Sequence, residues 1–229
     1  MEQIVKVSRD NHEMAMEIAL DLVNTLKPVH SEGRKAALAL SGGNTPRQFF
    51  SVLGNLYRDY EGWQNTLFFW SDERCVPPDS QESNYKTAKE VFFDKAAVPP
   101  GNIYRIMGEN EPWQEAERYS SEILQNVTLR LGIPRFDIVC LGLGEDGHTA
   151  SIFPGNLDLF DSSRICEVAV HPATGQKRIT LTGTVINNAA RVIFAVSGRN
   201  KAEIVAEILE NPSSGMYPAS LVRPLSGVL

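Results

Sequence analysis

Residues 36–50 read AALALSGGNTPRQFF, an apolar run, a Ser-Gly-Gly-Asn-Thr turn, and then a helical pattern opened by Pro46. A short apolar run bounded by turn residues has the length of a strand buried on both faces, and the switch of period after a tight turn marks a strand–turn–helix unit. The same switch recurs along the chain. Leu67–Trp70 ends in Ser-Asp-Glu-Arg, Asp137–Leu141 runs into GLGEDGHTAS, and Arg191–Val196 runs into SGRNK and the helical KAEIVAEILE. Strands alternating with helices from end to end predict an α/β layered fold with a mostly parallel sheet. In such sheets ligands lie outside the carboxyl ends of the strands, so four loops can share one site.

Outward from these units, Gln3–Val7 reads as a first strand. Met14, Ile18, Leu22 and Leu26, flanked by Ala15, Ala19 and Val23, predict an amphipathic helix that Pro28 ends. Glu111–Leu131 reads as one long helix with Pro112 in its first turn, and Ile165–Val170 and Arg178–Leu181 as shorter strands. No repeat, low-complexity tract or linker divides the chain, so residues 1–229 are expected to form a single domain. Hydrophobic residues at 42% and charged residues at 22% suit a globular core. A net charge of −6 invites neither nucleic acid nor an anionic membrane, so the positive charge that holds any anionic ligand must be local. Cys75, Cys140 and Cys166 lack a CxxC or metal spacing, which suits reduced thiols in a cytoplasmic protein. No apolar stretch approaches the roughly 18 residues of a membrane span, and MEQIVKVSRDNHEM lacks the apolar run of a secretory signal.

Each junction admits a chemical and a plain structural reading. Ser41-Gly42-Gly43-Asn44-Thr45 points free N–H groups at a helix start, with Thr45 as the expected N-cap and Pro46 in the first helical position. It is either a phosphate cradle or a well-capped turn, and it is not a Walker loop. Asp72-Glu73-Arg74 leaves the core with three charges. Arg74 can face a reacting oxygen or an anion, or the segment can be a salt-bridged loop with Ser83 as a helix cap. Gly142-Leu143-Gly144-Glu145-Asp146-Gly147-His148 matches GxGxxG, but it follows at least three strands and places Glu145 and Asp146 where a pyrophosphate would be repelled. Asp146 and His148 instead suit a carboxylate that fixes an imidazole tautomer, with a helix start at His148 keeping it neutral. The plain alternative is a capping aspartate and a surface histidine. Lys177-Arg178 and Arg199-Asn200-Lys201 supply cations for phosphate, or ordinary surface charge. No metal-ligand cluster, GxSxG elbow or Cys–His pair is evident.

Taken in order, LALSGGNTP, FFWSDERCVPPDSQESNY, FDIVCLGLGEDGHTASIFPG, KRITLT, VSGRNKAEIV and PASLV resemble the 6-phosphogluconolactonase family, whose relatives include the glucosamine-6-phosphate deaminases. The resemblance implies a three-layer αβα sandwich and hydrolysis of 6-phospho-D-glucono-1,5-lactone without metal or cofactor, the second step of the oxidative pentose phosphate pathway. It implies that His148 is the general base, supported by Asp146, and that Arg74 helps the oxyanion. Ser41, Gly42, Gly43, Asn44 and Thr45, with Arg178 and Lys201, would hold the phosphate, and Asp72 would line the pocket. The deaminases carry a glutamate after the histidine, where this chain has Ile152 and Phe153, an apolar wall that cannot shuttle protons. A sugar-phosphate-sensing regulator would need a DNA-binding module, for which residues 1–10 leave no room. The expected partner is a small sugar-phosphate lactone; monomer and homodimer both remain compatible with the sequence.

Overall fold

The computed structural model describes residues 3–211 and 215–229. Helix α1 (Asn11–Ser31) starts where the Asp10 carboxylate accepts the backbone N–H groups of His12 and Glu13, donors that a helix start otherwise leaves free. Of the predicted apolar stripe, Ala15, Ala19, Leu22, Val23 and Leu26 are buried and Met14 and Ile18 half-buried. There follow β1 (Ala36–Leu40), α2 (Asn44–Leu56), β2 (Thr66–Trp70), β3 (Asp72–Arg74), α3 (Asn84–Ala88) and α4 (Pro112–Asn126). Next come β4 (Leu129–Arg130), β5 (Ile133–Pro134), β6 (Ile138–Leu141), α5 (Asp158–Asp161) and β7 (Cys166–Val170). The chain closes with β8 (Lys177–Leu181), α6 (Gly183–Ile186), β9 (Val192–Phe194) and α7 (Ala202–Glu210).

Four strands run parallel in the order β2-β1-β6-β9. β1 pairs with β2 along its length, from Ala36 opposite Thr66 to Leu40 opposite Trp70, and with β6 through Leu38 opposite Ile138. β1, β2 and β6 are buried at every position, as strands covered on both faces must be. A second, antiparallel sheet in the order β3-β8-β7 sets Asp72 opposite Thr180 and Arg74 opposite Arg178. α1 packs on α2, and α4 packs on β7 and β8. The Tyr119 hydroxyl of α4 bridges the backbone N–H and carbonyl of Trp70. The architecture is the expected αβα sandwich. Because the central strands are parallel, Leu40, Trp70, Leu141 and Phe194 all deliver their following loops to one edge.

Several local expectations are corrected. Gln3–Val7 forms no strand: Ile4 donates to the Leu229 carbonyl, while Val5 and Val7 lie exposed without a ladder. α1 passes through Pro28 to Ser31, because a proline near the last turn forfeits one hydrogen bond and the Glu32 N–H still reaches the Pro28 carbonyl. α4 stops at Asn126, well before Leu131. Leu131 and Gly132 both take positive φ, +55° and +79°, the geometry of a tight hairpin turn, and join β4 to β5. Thr45 is not the N-cap of α2. Gly43 holds that place at φ +102°, a conformation glycine adopts without steric cost. Thr45 instead bonds the Ser197 hydroxyl at 2.7 Å. His148 opens no helix, since residues 144–147 form a turn and Thr149 bridges Ile152.

Candidate active site

At the common edge lies a cavity of about 300 Å³. Ser41, Gly42, Gly43, Asn44 and Thr45 line one side, the donor-rich entrance to α2. Asp72 and Arg74 from β3, Arg178 from β8, His148 from the loop after β6, and Lys201 from the turn before α7 complete it. Asp146 does not itself line the cavity; it reaches it through His148. The structure thus brings the predicted residues to one place.

The loop after β6 is built around the Asp146–His148 pair. The imidazole Nδ1 lies 2.5 Å from Asp146 Oδ1, which also accepts the His148 backbone N–H at 3.1 Å. An ionised carboxylate only accepts, so the Nδ1–H donates to it and leaves the Nε2 lone pair free. Nε2 has no partner among the described residues. Gly144 is required for this packing: a Cβ there would fall 2.1 Å from Nδ1 and 2.5 Å from Asp146 Oδ1. Burial alone would raise the Asp146 carboxyl, but the His148 backbone N–H and ring outweigh it and hold the group below the usual range. Phe153, fully buried, packs its ring 4.8 Å from the imidazole centroid and 5.6 Å from the Arg178 guanidinium carbon.

Arg74 and Arg178 sit directly opposite each other on adjacent strands, a like-charge pairing that costs free energy unless an anion lies close by. The Nε–H of each is buried with no hydrogen-bond partner among the described residues. Burial pulls the Arg178 guanidinium below its ordinary value; Asp72 offsets this and Arg74 adds to it. Arg74 Nη1 donates to the Glu82 carbonyl at 2.6 Å, which turns the side chain along the α3 entrance. Asp72, buried, accepts from the Ser151 hydroxyl at 2.6 Å.

Sequence reasoning passed over other contributors. Glu73 is no surface charge but a buried tie. It accepts the backbone N–H of Arg74, Asn84 and Tyr85 at 2.8 Å each and the Ser83 hydroxyl at 3.0 Å. Ser83 is the N-cap of α3, as expected. Asn84 and Glu145 also line the cavity, and Asn200 donates its amide to Glu145. The SNY triplet after DER was the available signal for Asn84, but only burial shows which way it faces. Among the described residues, no group of three or more His, Cys, Asp or Glu side chains is placed to hold a metal ion. No helix among them is long and apolar enough to cross a membrane.

A parallel α/β sandwich with an Asp-paired histidine, facing arginines and a donor-rich helix entrance at its strand ends defines a class: proteins with an anion-suited ligand site at a sheet edge. Comparison narrows the class. The family model described as glucosamine-6-phosphate isomerases/6-phosphogluconolactonase matches residues 9–229, and the chain belongs to that family. The 6-phosphogluconolactonase of Treponema pallidum (strain Nichols) is 42% identical over 179 residues, which cover 78% of this chain and 74% of the relative. The crystal structure of 6-phosphogluconolactonase from Thermotoga maritima superposes with a TM-score of 0.86 at 27% identity, covering 99% of this chain and 97% of that one. A monomeric glucosamine-6-phosphate deaminase shares the fold at a TM-score of 0.81 and 24% identity, covering 100% of this chain and 95% of its own.

Proposed function

We propose that the chain hydrolyses 6-phospho-D-glucono-1,5-lactone to 6-phospho-D-gluconate, the second step of the oxidative pentose phosphate pathway, as a single cytoplasmic domain over residues 1–229. The observation that carries this reading is the Asp146–His148 pair, its Nε2 unpaired, with His148 lining the same cavity as the α2 entrance and the two arginines. Family membership supports it. So does the burial of Ile152 and Phe153 beside the base, where the deaminases carry a glutamate.

A lactone is an activated ester, so water, one base and positive charge suffice. His148 Nε2 takes a proton from water as the oxygen attacks the C1 carbonyl carbon, and Asp146 stabilises the imidazolium that forms. The carbonyl π electrons move onto its oxygen, and Arg74 stabilises this oxyanion. Collapse restores the carbonyl, breaks the bond from C1 to the ring oxygen, and returns the proton from His148 to that oxygen. The carboxylic acid formed then loses its proton to solvent. The free N–H groups of residues 41–45, with Arg178 and Lys201, anchor the distant phosphate, so that the carbonyl meets the base in one orientation. Asp72, held by Ser151, lines the sugar side of the pocket.

The test couples glucose-6-phosphate dehydrogenase, which generates the lactone, to excess 6-phosphogluconate dehydrogenase, with spontaneous opening subtracted. A protein-dependent second NADPH phase, reduced at least about a hundredfold in a folded His148→Ala variant, is the expected result. No rise above background would overturn the activity, and an undiminished rise in the variant would remove His148 as base.

A further inference from the structure

Asn84 is almost wholly buried, yet it lines the cavity. Its orientation is settled by chemistry. The side-chain amide donates from Nδ2 to the Asp72 carbonyl oxygen at 2.9 Å, an atom that can only accept, so Oδ1 occupies the opposite position. There it abuts the α2 entrance: a Cβ built on Gly42 would fall 1.7 Å from it. The backbone of Asn84 is equally held, through its N–H to Glu73 Oε1 at 2.8 Å and the Ser83 cap of α3. Oδ1 accepts no hydrogen bond from any described residue, although the Arg74 and Arg178 guanidinium groups line the same cavity. A fixed, neutral acceptor on a buried side chain that the protein leaves unpaired is suited to a donor brought by the ligand. It would contribute nothing to a phosphate, which carries acceptors. A ring hydroxyl is the donor a sugar lactone has to offer.

We propose that Asn84 is a specificity-determining residue whose Oδ1 accepts a hydrogen bond from one ring hydroxyl of the bound sugar-phosphate lactone. The inference rests on the lactonase reading above. In this arrangement the α2 entrance and Lys201 hold the phosphate, the His148 loop holds the reacting carbonyl, and Asn84 reads the hydroxylated part of the ring. Gly42 is glycine because the acceptor stands where a side chain would be.

The test crosses Asn84→Ala with the intact lactone and its 2-, 3- and 4-deoxy analogues, each generated from the corresponding sugar phosphate. Hydrolysis is followed as proton release after subtraction of spontaneous opening. The expected result is a loss of kcat/KM of about tenfold or more for the intact lactone. For one deoxy lactone, variant and wild type should agree within about twofold. A loss of the same factor for all four substrates, or no loss for any, overturns the assignment. If Asn84→Ala does not fold by circular dichroism, Asn84→Ser carries the same comparison with a shorter side chain. Wild-type turnover of the intact lactone tests the underlying activity separately: its absence overturns both readings, whereas a uniform loss overturns only this one.

Discussion

At the scale of single residues, the proposed chemistry hangs on one carboxylate and one ring. The Asp146 carboxyl lies below its usual range because the His148 backbone N–H and imidazole outweigh the opposing effect of burial. A folded-state pKa below the unfolded value means the stabilisation this group contributes is fully present above the unfolded pKa. It is lost only as pH falls through the folded one. Asp146 therefore stays ionised across neutral pH and keeps its acceptor role towards His148 there. Asp146→Asn removes the charge that stabilises the imidazolium formed during the reaction, so kcat should fall on the order of 10²–10⁴. Steady-state kinetics checks this, and an unchanged kcat would detach Asp146 from the reaction. The two-residue spacing made this pair legible in the sequence, because a glycine-hinged loop this short keeps the two side chains within reach. The helix expected at His148 was not there; the Asp146 hydrogen bond, not a helix dipole, orients the ring and leaves Nε2 free.

At the scale of elements, Glu73 fastens the end of β3 to the start of α3. Burial pushes its carboxyl up, and the backbone N–H groups of Asn84, Tyr85 and Arg74 and the Ser83 hydroxyl pull it back. Glu73→Gln replaces one acceptor oxygen with a donor among N–H groups that already donate. That mismatch should cost about 3 kcal/mol of stability in denaturant unfolding and lower activity by displacing Arg74 and Asn84. Equal midpoints for variant and wild type would show that the tie carries no stability. Ser83 was readable as a cap because its role is local. Glu73 was not, because its partners are backbone N–H groups across a long loop and advertise nothing in their side chains. The end of α4 was misjudged for a related reason. Residues 127–131 (VTLRL) hold no glycine or proline to stop a helix, and the Leu131–Gly132 turn with the pairing of β4 and β5 diverts them.

At the scale of the whole molecule, the site has no owner among the elements; it is a meeting of loops from both sheets. A ligand bound there links β3, α2, β8 and the turn before α7, and should stabilise the native state as a unit. At a hundred times its Kd, 6-phosphogluconate should contribute about 2.7 kcal/mol, roughly 5–10 °C in melting temperature for a domain of this size. Lys201→Ala should melt within about 2 °C of wild type without ligand and show a smaller shift at the same 6-phosphogluconate concentration. Differential scanning calorimetry checks this, and an equal shift in the variant would remove Lys201 from the phosphate site. Arg178→Ala should mainly raise KM by the same logic, and unchanged kinetics would take Arg178 out of phosphate binding.

The residue order alone was enough for the α/β alternation, the buried parallel strands, the glycine turn before α2 and the Asp146–His148 pair. Each is written in local periodicity or in neighbours a few residues apart, where hard-sphere limits and hydrogen bonding leave few alternatives. Only the tertiary structure decided that Arg74 stands opposite Arg178, that Asn84 Oδ1 abuts Gly42 inside the cavity, and that Glu73 is a buried tie rather than a surface charge. These contacts join segments far apart in the chain. Strand register and the packing of both sheets set them, and no local pattern encodes which distant side chain will arrive.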